Sequence, residues 1–230
     1  MAGQGVVLIM NNLIKNKLRL SGYVKFSCDC SAMQTYEIAE QIGSILKLPR
    51  LPVVQVLKPY SQNAKSESTY SGNFGVRDFP LHTDLAHWYL PPRYFLLRCI
   101  EPSDNVFTTF LRVDEFFKGI DRSLLRRALF RSRKMVDGKL MLLPLYDGES
   151  YRWDSLFLLP MNSVAVEVKS RVDKLVCESV LEKISLTDSR DCILVDNWRV
   201  LHGRSHVPDT DLGRIVERVY LSSLKESDND

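Results

Sequence analysis

The run Cys192-Ile193-Leu194-Val195 limits the possible folds of this chain more than any other stretch. It is short, wholly apolar and bounded by Asp191 and Asp196, and it reads as a buried strand. Other segments of the same kind accompany it. Arg93 to Ile100 and Val106 to Val113 are strong strand signals, Gly22 to Phe26 alternates weakly, and Val53 to Leu57 is short and β-branched. Lys139 to Leu145 and Ser150 to Leu159 read as two strands split by a turn at Asp147-Gly148, and Gly213 to Leu221 reads as a last strand. Strands outnumber helices, and no glycine-rich βα turn is present, which disfavours a doubly wound α/β fold. The expected class is mainly β with flanking helices, in the form of a double-stranded β-helix, or jelly-roll, barrel.

The helices are fewer. Ser31 reads as an N-cap with Gln34 completing a capping box, followed by Ile38, Ile42, Ile45 and Leu46 on one face and a stop at Pro49. Asp114 and Asp121 can each cap a helix. The second of these would carry Leu124, Leu125, Ala128 and Leu129 on one side and Arg122, Arg126, Arg127, Arg131 and Arg133 on the other. Ser170 reads as the cap of a further helix with Val172, Leu175, Val176, Val180 and Ile184 as its apolar face. Ser61 to Asn73 is small and polar and reads as a surface loop, with a lid as its functional alternative. Residues 225–230 read as a disordered tail.

At 230 residues the chain is long enough for one domain spanning 1–230 with a substantial core. A net charge of +3 is too mild to imply nucleic acid by itself. No apolar run is long enough to span a membrane, and the first residues lack the basic segment of a secretory signal. The five cysteines are odd in number and irregular in spacing, which fits reduced thiols in a cytoplasmic protein. Cys28-Asp29-Cys30 has no second cysteine pair to complete a soft-metal site.

The chemistry concentrates in Phe79-Pro80-Leu81-His82-Thr83-Asp84. In an extended strand, residues i and i+2 point the same way, so His82 and Asp84 can converge. Joined by a second imidazole they would form a facial triad for non-haem Fe(II). The chain has four histidines, His82, His87, His202 and His206. His202 is the best placed of the remaining three, since it lies beyond the buried strand in Asp196-Asn197-Trp198-Arg199-Val200-Leu201-His202-Gly203-Arg204. In the last strand Arg214, Val216, Arg218 and Tyr220 share one face, and two arginines there are costly unless anions meet them. The alternative for that pair is a surface salt-bridge face. His87, Trp88, Tyr89, Arg152 and Trp153 are pocket candidates, with ordinary packing as the competing role.

These two motifs, with Arg214 and Arg218 beyond them, resemble the taurine dioxygenase-like and clavaminate synthase-like Fe(II)/2-oxoglutarate oxygenases, and the resemblance extends over most of the chain. It implies that His82, Asp84 and His202 hold Fe(II), and that 2-oxoglutarate and O2 are cosubstrates. Arg214 would anchor 2-oxoglutarate, and Arg218 would help to orient the cosubstrate or the primary substrate. Thr109 falls at the family's 2-oxoglutarate-contacting threonine. The usual Gly-Gly before it is replaced here by Val106-Phe107, which leaves Thr108 as the alternative. An acidic ligand at Asp84 implies hydroxylation rather than halogenation, with desaturation as another oxidative outcome. The implied substrate is a small polar or amino-acid-like metabolite. Three other readings stand beside this one: a non-catalytic oxygenase-fold binding module, a nucleic-acid-binding domain using the Arg122 to Arg133 face, and a cupin-type or hydrolytic metal enzyme. Nothing in the sequence sets the oligomeric state.

Overall fold

A computed structural model describes residues 13–28, 33–60, 69–136 and 138–225. The described strands form three antiparallel sheets. The large sheet has the order β1 (Tyr23–Ser27), β11 (Asp191–Asp196), β5 (Tyr94–Glu101), β13 (Ile215–Leu224), β2 (Gly43–Ile45), with β3 (Gln55–Leu57) also paired to β13. The second sheet runs β10 (Glu182–Leu186), β6 (Ser103–Arg112), β12 (Val200–Arg204), β4 (Phe79–His82). A small third sheet joins β8 (Leu142–Pro144), β7 (Leu129–Ser132) and β9 (Leu158–Pro160).

No sheet closes on itself, which corrects the expected jelly-roll barrel. The fold is mixed α/β, and its two main sheets face one another in an arrangement like that of a double-stranded β-helix. Closure needs hydrogen bonds from the edges of one sheet to the edges of the other. Here β1, β2, β10 and β4 end their sheets without that pairing.

The alternation of side chains sorts the layers. Phe95, Leu97, Ile193, Val195, Val216 and Tyr220 of the large sheet pack with Phe110, Leu186 and Val200 of the second, filling the space between them. The intervening residues Leu96, Cys192, Leu194, Val219 and Leu221 point the other way. They meet α1 (described over residues 13–21, with Ile14 and Leu18) and α2 (Thr35–Ile42, with Ile38, Ala39 and Ile42). On the far face of the second sheet, Leu81, Leu111 and Leu201 pack with α4 (Val113–Phe116), α5 (Arg122–Arg127), α6 (Ser163–Glu178) and the small sheet. A short helix, α3 (Tyr70–Phe74), precedes β4.

Several element ends differ from the sequence reading. Ser31, Asp29, Cys30 and residues 61–68 lie outside the described residues. Gln34 is the N-cap of α2 and makes a capping box with Glu37. The helix ends at Gly43 rather than Pro49, because the chain turns there to pair with β13. Asn162, not Ser170, caps α6, its side chain accepting from Ala165 N–H. Asp121 caps α5 as expected. That helix stops at Arg127, and Arg131 lies on β7, so the basic stripe is not one helical face. Arg122 and Arg126 cover the ring of Tyr146 instead. No described helix is long and apolar enough to cross a membrane.

Gly43 lies where two backbones touch. A Cβ at this position would fall 2.1 Å from the carbonyl oxygen of Ser223. Its φ of −169° suits any residue, so the constraint is contact rather than conformation. Gly43→Ala must push β2 away from β13, and we expect a loss of about 1–3 kcal/mol of stability. Denaturant unfolding of the variant measures it.

Candidate metal centre

Antiparallel pairing of β12 with β4 sets His202 directly opposite His82, with ring centroids 4.4 Å apart. Cross-strand partners point to the same face, here the face toward the large sheet. The strand reading of His82 and Asp84 is only half right. β4 ends at His82, and Asp84 sits in the turn that follows. Leu85 has φ 55°, in the left-handed region that is uncommon for a branched side chain. The turn is held by Asn197, which is completely buried. Its Oδ1 accepts from Asp84 N–H at 2.8 Å, while its Nδ2 donates to the carbonyls of Asp84 and Pro92. On the other side, Thr83 N–H donates to the Trp153 carbonyl and Thr83 Oγ1 accepts from Trp153 N–H.

This scaffold aims three donors at one point. His82 Nε2 and His202 Nε2 lie 3.5 and 3.6 Å from Asp84 Oδ1. One ligand atom from each residue falls within 4.8 Å of the others, and all three residues are buried. His82 Nδ1 lies 2.9 Å from the Pro80 carbonyl. A carbonyl can only accept, so Nδ1 carries the proton and Nε2 offers its lone pair inward. The second carboxylate oxygen, Asp84 Oδ2, accepts from Arg218 Nη1 at 2.6 Å and from the Tyr220 hydroxyl at 3.1 Å.

The electrostatics follow from these contacts. Burial pushes the Asp84 carboxyl up, but Arg218 and then His202 outweigh it, and the group is held well below the usual carboxylate range. Burial, reinforced by His82, pushes His202 down to about 4. The His202 ring is thus neutral near neutral pH, as metal ligation requires.

The triad opens into a cavity of about 650 Å³. Arg214, Val216, Arg218 and Tyr220 all line it, as the period of the last strand predicts. Arg218, expected near a cosubstrate or substrate, is engaged by Asp84 and by Gln55 Oε1. Arg214 is buried, its Nε has no partner, and no described carboxylate bonds it. Burial lowers its pKa. Of the two threonines, Thr108 pairs with Arg204 on the His202 face and lines the cavity. Thr109 pairs with Gly203 on the opposite face and does not.

His87 and Trp88 line the cavity, whereas Tyr89 is exposed. Trp153 belongs to the core beyond the second sheet. Arg152 is buried and donates to the carbonyls of Ala86, Trp88 and Tyr89, which braces the segment after Asp84. His206 is exposed and takes no part in the cluster.

Sequence reasoning missed Asn197, Tyr70, Asp154 and Arg204 as site residues. Tyr70 stacks on the His82 ring with centroids 4.1 Å apart. Asp154 is buried in the cavity wall, and burial raises its pKa. Arg204 lies over the Phe79 ring, 3.7 Å from its centroid, and burial, then Arg214, bring it down to about 10. The usable signal was proximity for two of them: Asn197 and Arg204 lie within the second motif, whereas nothing local marks Tyr70 or Asp154.

No protein-family model matches the sequence, and no curated protein matches it. Solved structures do match in fold. Asparagine oxygenase in complex with Fe(II), 2S,3S-3-hydroxyasparagine and succinate superposes with a TM-score of 0.70 at 15% identity, covering 94% of this chain and 79% of that one. The non-heme iron oxygenase OrfP in complex with Fe and alpha-ketoglutaric acid gives 0.64 at 16%, covering 96% and 81%. PvcB from Pseudomonas aeruginosa gives 0.66 at 17%, covering 99% and 86%. The match is distant but broad, and what it establishes is a shared fold.

Burial of neutral histidines predicts a pH effect on the metal-free protein. Burial pushes His87 down to about 4, as it does His202. The unfolded chain protonates these rings near their ordinary values, so their contribution to stability is lost as pH falls from about 6.5 toward 4. Asp196, which burial pushes up to about 6, works in the opposite direction over the same range. The difference between wild type and His87→Phe isolates one ring. Between pH 7 and 4.5 the wild type should lose about 2 kcal/mol more stability than the variant, read from urea midpoints.

Proposed function

We propose that the protein is an Fe(II)- and 2-oxoglutarate-dependent oxygenase that oxidises a small polar, amino-acid-like metabolite, with hydroxylation as the outcome. The observation that carries this reading is the convergence of His82 Nε2, Asp84 Oδ1 and His202 Nε2 inside a cavity that also holds an unpartnered guanidinium. Two neutral imidazoles and one carboxylate are the donor set of a non-haem Fe(II) site with open positions. The fit extends to the second shell, where Pro80 fixes the tautomer of His82 and Arg218 and Tyr220 hold the spare oxygen of Asp84. The structures of similar fold contain Fe(II) and succinate in one case, Fe and alpha-ketoglutaric acid in another.

In this reading His82, Asp84 and His202 hold the metal. Arg214 receives the distal carboxylate of 2-oxoglutarate through bidentate, charge-assisted bonds. The threonine contact falls to Thr108 rather than Thr109. The iron, with 2-oxoglutarate and O2, would supply the oxidising power for a C–H bond. The chain's own contribution is positional. Burial between two sheets excludes bulk water, and Asp84 keeps one oxygen free toward the metal because its other oxygen is already bonded. A carboxylate at this place occupies the position that a halide would need.

Two outcomes test the assignment. Asp84→Ala should weaken Fe(II) binding at least tenfold in anaerobic titration, and with it the weak visible band formed with 2-oxoglutarate. Full iron affinity and turnover in that variant would remove the metal site from these residues. Arg214→Ala should raise the 2-oxoglutarate KM by about 10- to 100-fold, the range expected when a charged partner is lost. An unchanged KM would move the anchor elsewhere.

A further inference from the structure

One of the two carboxylates in the cavity wall has no ion-pair partner. Asp84 is matched by Arg218. Arg214 is matched, in the reading above, by the distal carboxylate of 2-oxoglutarate. Asp154 is the one without a cation in contact. It is 2% exposed and lines the same cavity. Its Oδ1 accepts from Leu156 N–H and Phe157 N–H, both at 2.7 Å, which caps the turn that follows it. Among the described residues Oδ2 takes no backbone N–H, its polar neighbour is the Tyr70 hydroxyl, and no lysine or arginine pairs with the group. A buried carboxylate without a cation is costly, and such groups persist where a ligand completes them.

Two further polar atoms on this wall lack partners. The Tyr70 hydroxyl is buried beside Asp154, whose negative charge raises its pKa further after burial. His87 Nδ1 is also buried and unpaired. Both rings pack around Phe157, at centroid distances of 5.4 and 5.5 Å. A carboxylate, a phenol and a neutral imidazole are three acceptors gathered on one side. Arg204 ends β12, Arg214 immediately precedes β13 and Arg218 lies on it.

We propose that this wall receives a protonated nitrogen of the primary substrate, an ammonium or guanidinium group, and that Asp154 Oδ2 is its principal acceptor, with Tyr70 and His87 beside it. The inference rests on the oxygenase reading for the word substrate, but the cation site itself does not depend on it. It places no substrate anion on Arg218, because that guanidinium is already held by Asp84 and Gln55.

Calorimetric titration tests it, on metal-free protein and on protein loaded anaerobically with Fe(II) and 2-oxoglutarate. The probes are cadaverine and agmatine, with hexane-1,6-diol and adipate as uncharged and anionic counterparts of similar length. Wild type should bind the two cations and not the diol, the protein already loaded with Fe(II) and 2-oxoglutarate should not bind adipate, and the preferred cation distinguishes ammonium from guanidinium. Asp154→Asn keeps an acceptor for the turn and removes the charge. It should weaken cation binding roughly 10- to 100-fold while leaving 2-oxoglutarate affinity within about twofold. Tyr70→Phe should weaken it by a smaller factor, about tenfold or less. Cation binding that survives Asp154→Asn overturns the proposal. So does tighter binding of the diol, tighter binding of adipate by the loaded protein, or no cation binding by protein that takes up Fe(II) and 2-oxoglutarate normally. Asp154-dependent cation binding by a protein that never takes up Fe(II) and 2-oxoglutarate would sink the oxygenase reading and leave the cation site standing.

Discussion

Asp84 is the place where the two main sheets are tied together. Its backbone belongs to the turn that ends β4 in the second sheet, and its carboxylate is bonded by Arg218 and Tyr220 of β13 in the large one. A carboxylate this deeply buried would destabilise the fold by several kcal/mol if left alone. Arg218 is therefore required by Asp84 as much as by any ligand. Asn197 completes the constraint by bonding both backbone groups of Asp84 from the turn between β11 and β12. Three separate segments thus meet on one residue, and the geometry of the site is a by-product of satisfying its polar atoms.

Side-chain parity does the remaining placement. The residues of β13 that face inward are Arg214 just before the strand, then Val216, Arg218 and Tyr220, while Val219 and Leu221 pack outward on α1 and α2. On β12, Val200 and His202 face the large sheet, while Leu201 faces the helices of the other layer. Gly203 is needed because a Cβ there would fall 2.5 Å from the Phe79 carbonyl. The close approach it permits is what lets β4 bring His82 against His202. Function here is carried by a few inward positions on strands whose other positions build the core.

Much of this was legible in the sequence. The buried β11 strand, the alternation of the last strand and the pairing of a His-x-Asp with a distant His are all period-two or composition signals. What failed did so for physical reasons. Barrel closure depends on hydrogen bonds between sheet edges, which no local pattern encodes. The choice between Thr108 and Thr109 depends on the register of β6 against β12, and a shift of one residue exchanges the faces. The helix before β2 ends at a glycine chosen for contact with Ser223, not at the proline that local rules favour. Asn162 caps α6 more than two turns ahead of Ser170, which lies within the helix. Asp154 and Tyr70 were invisible because their roles arise from burial and from their place in the cavity wall, and neither can be read before the layers are assembled.

The central claim is that three side chains on two strand ends share one ferrous ion. Crystals grown anaerobically with Fe(II) and measured on both sides of the iron absorption edge test it directly. The account predicts a single anomalous peak within bonding distance of His82 Nε2, Asp84 Oδ1 and His202 Nε2. A peak elsewhere, or one touching only one of the three, would contradict it.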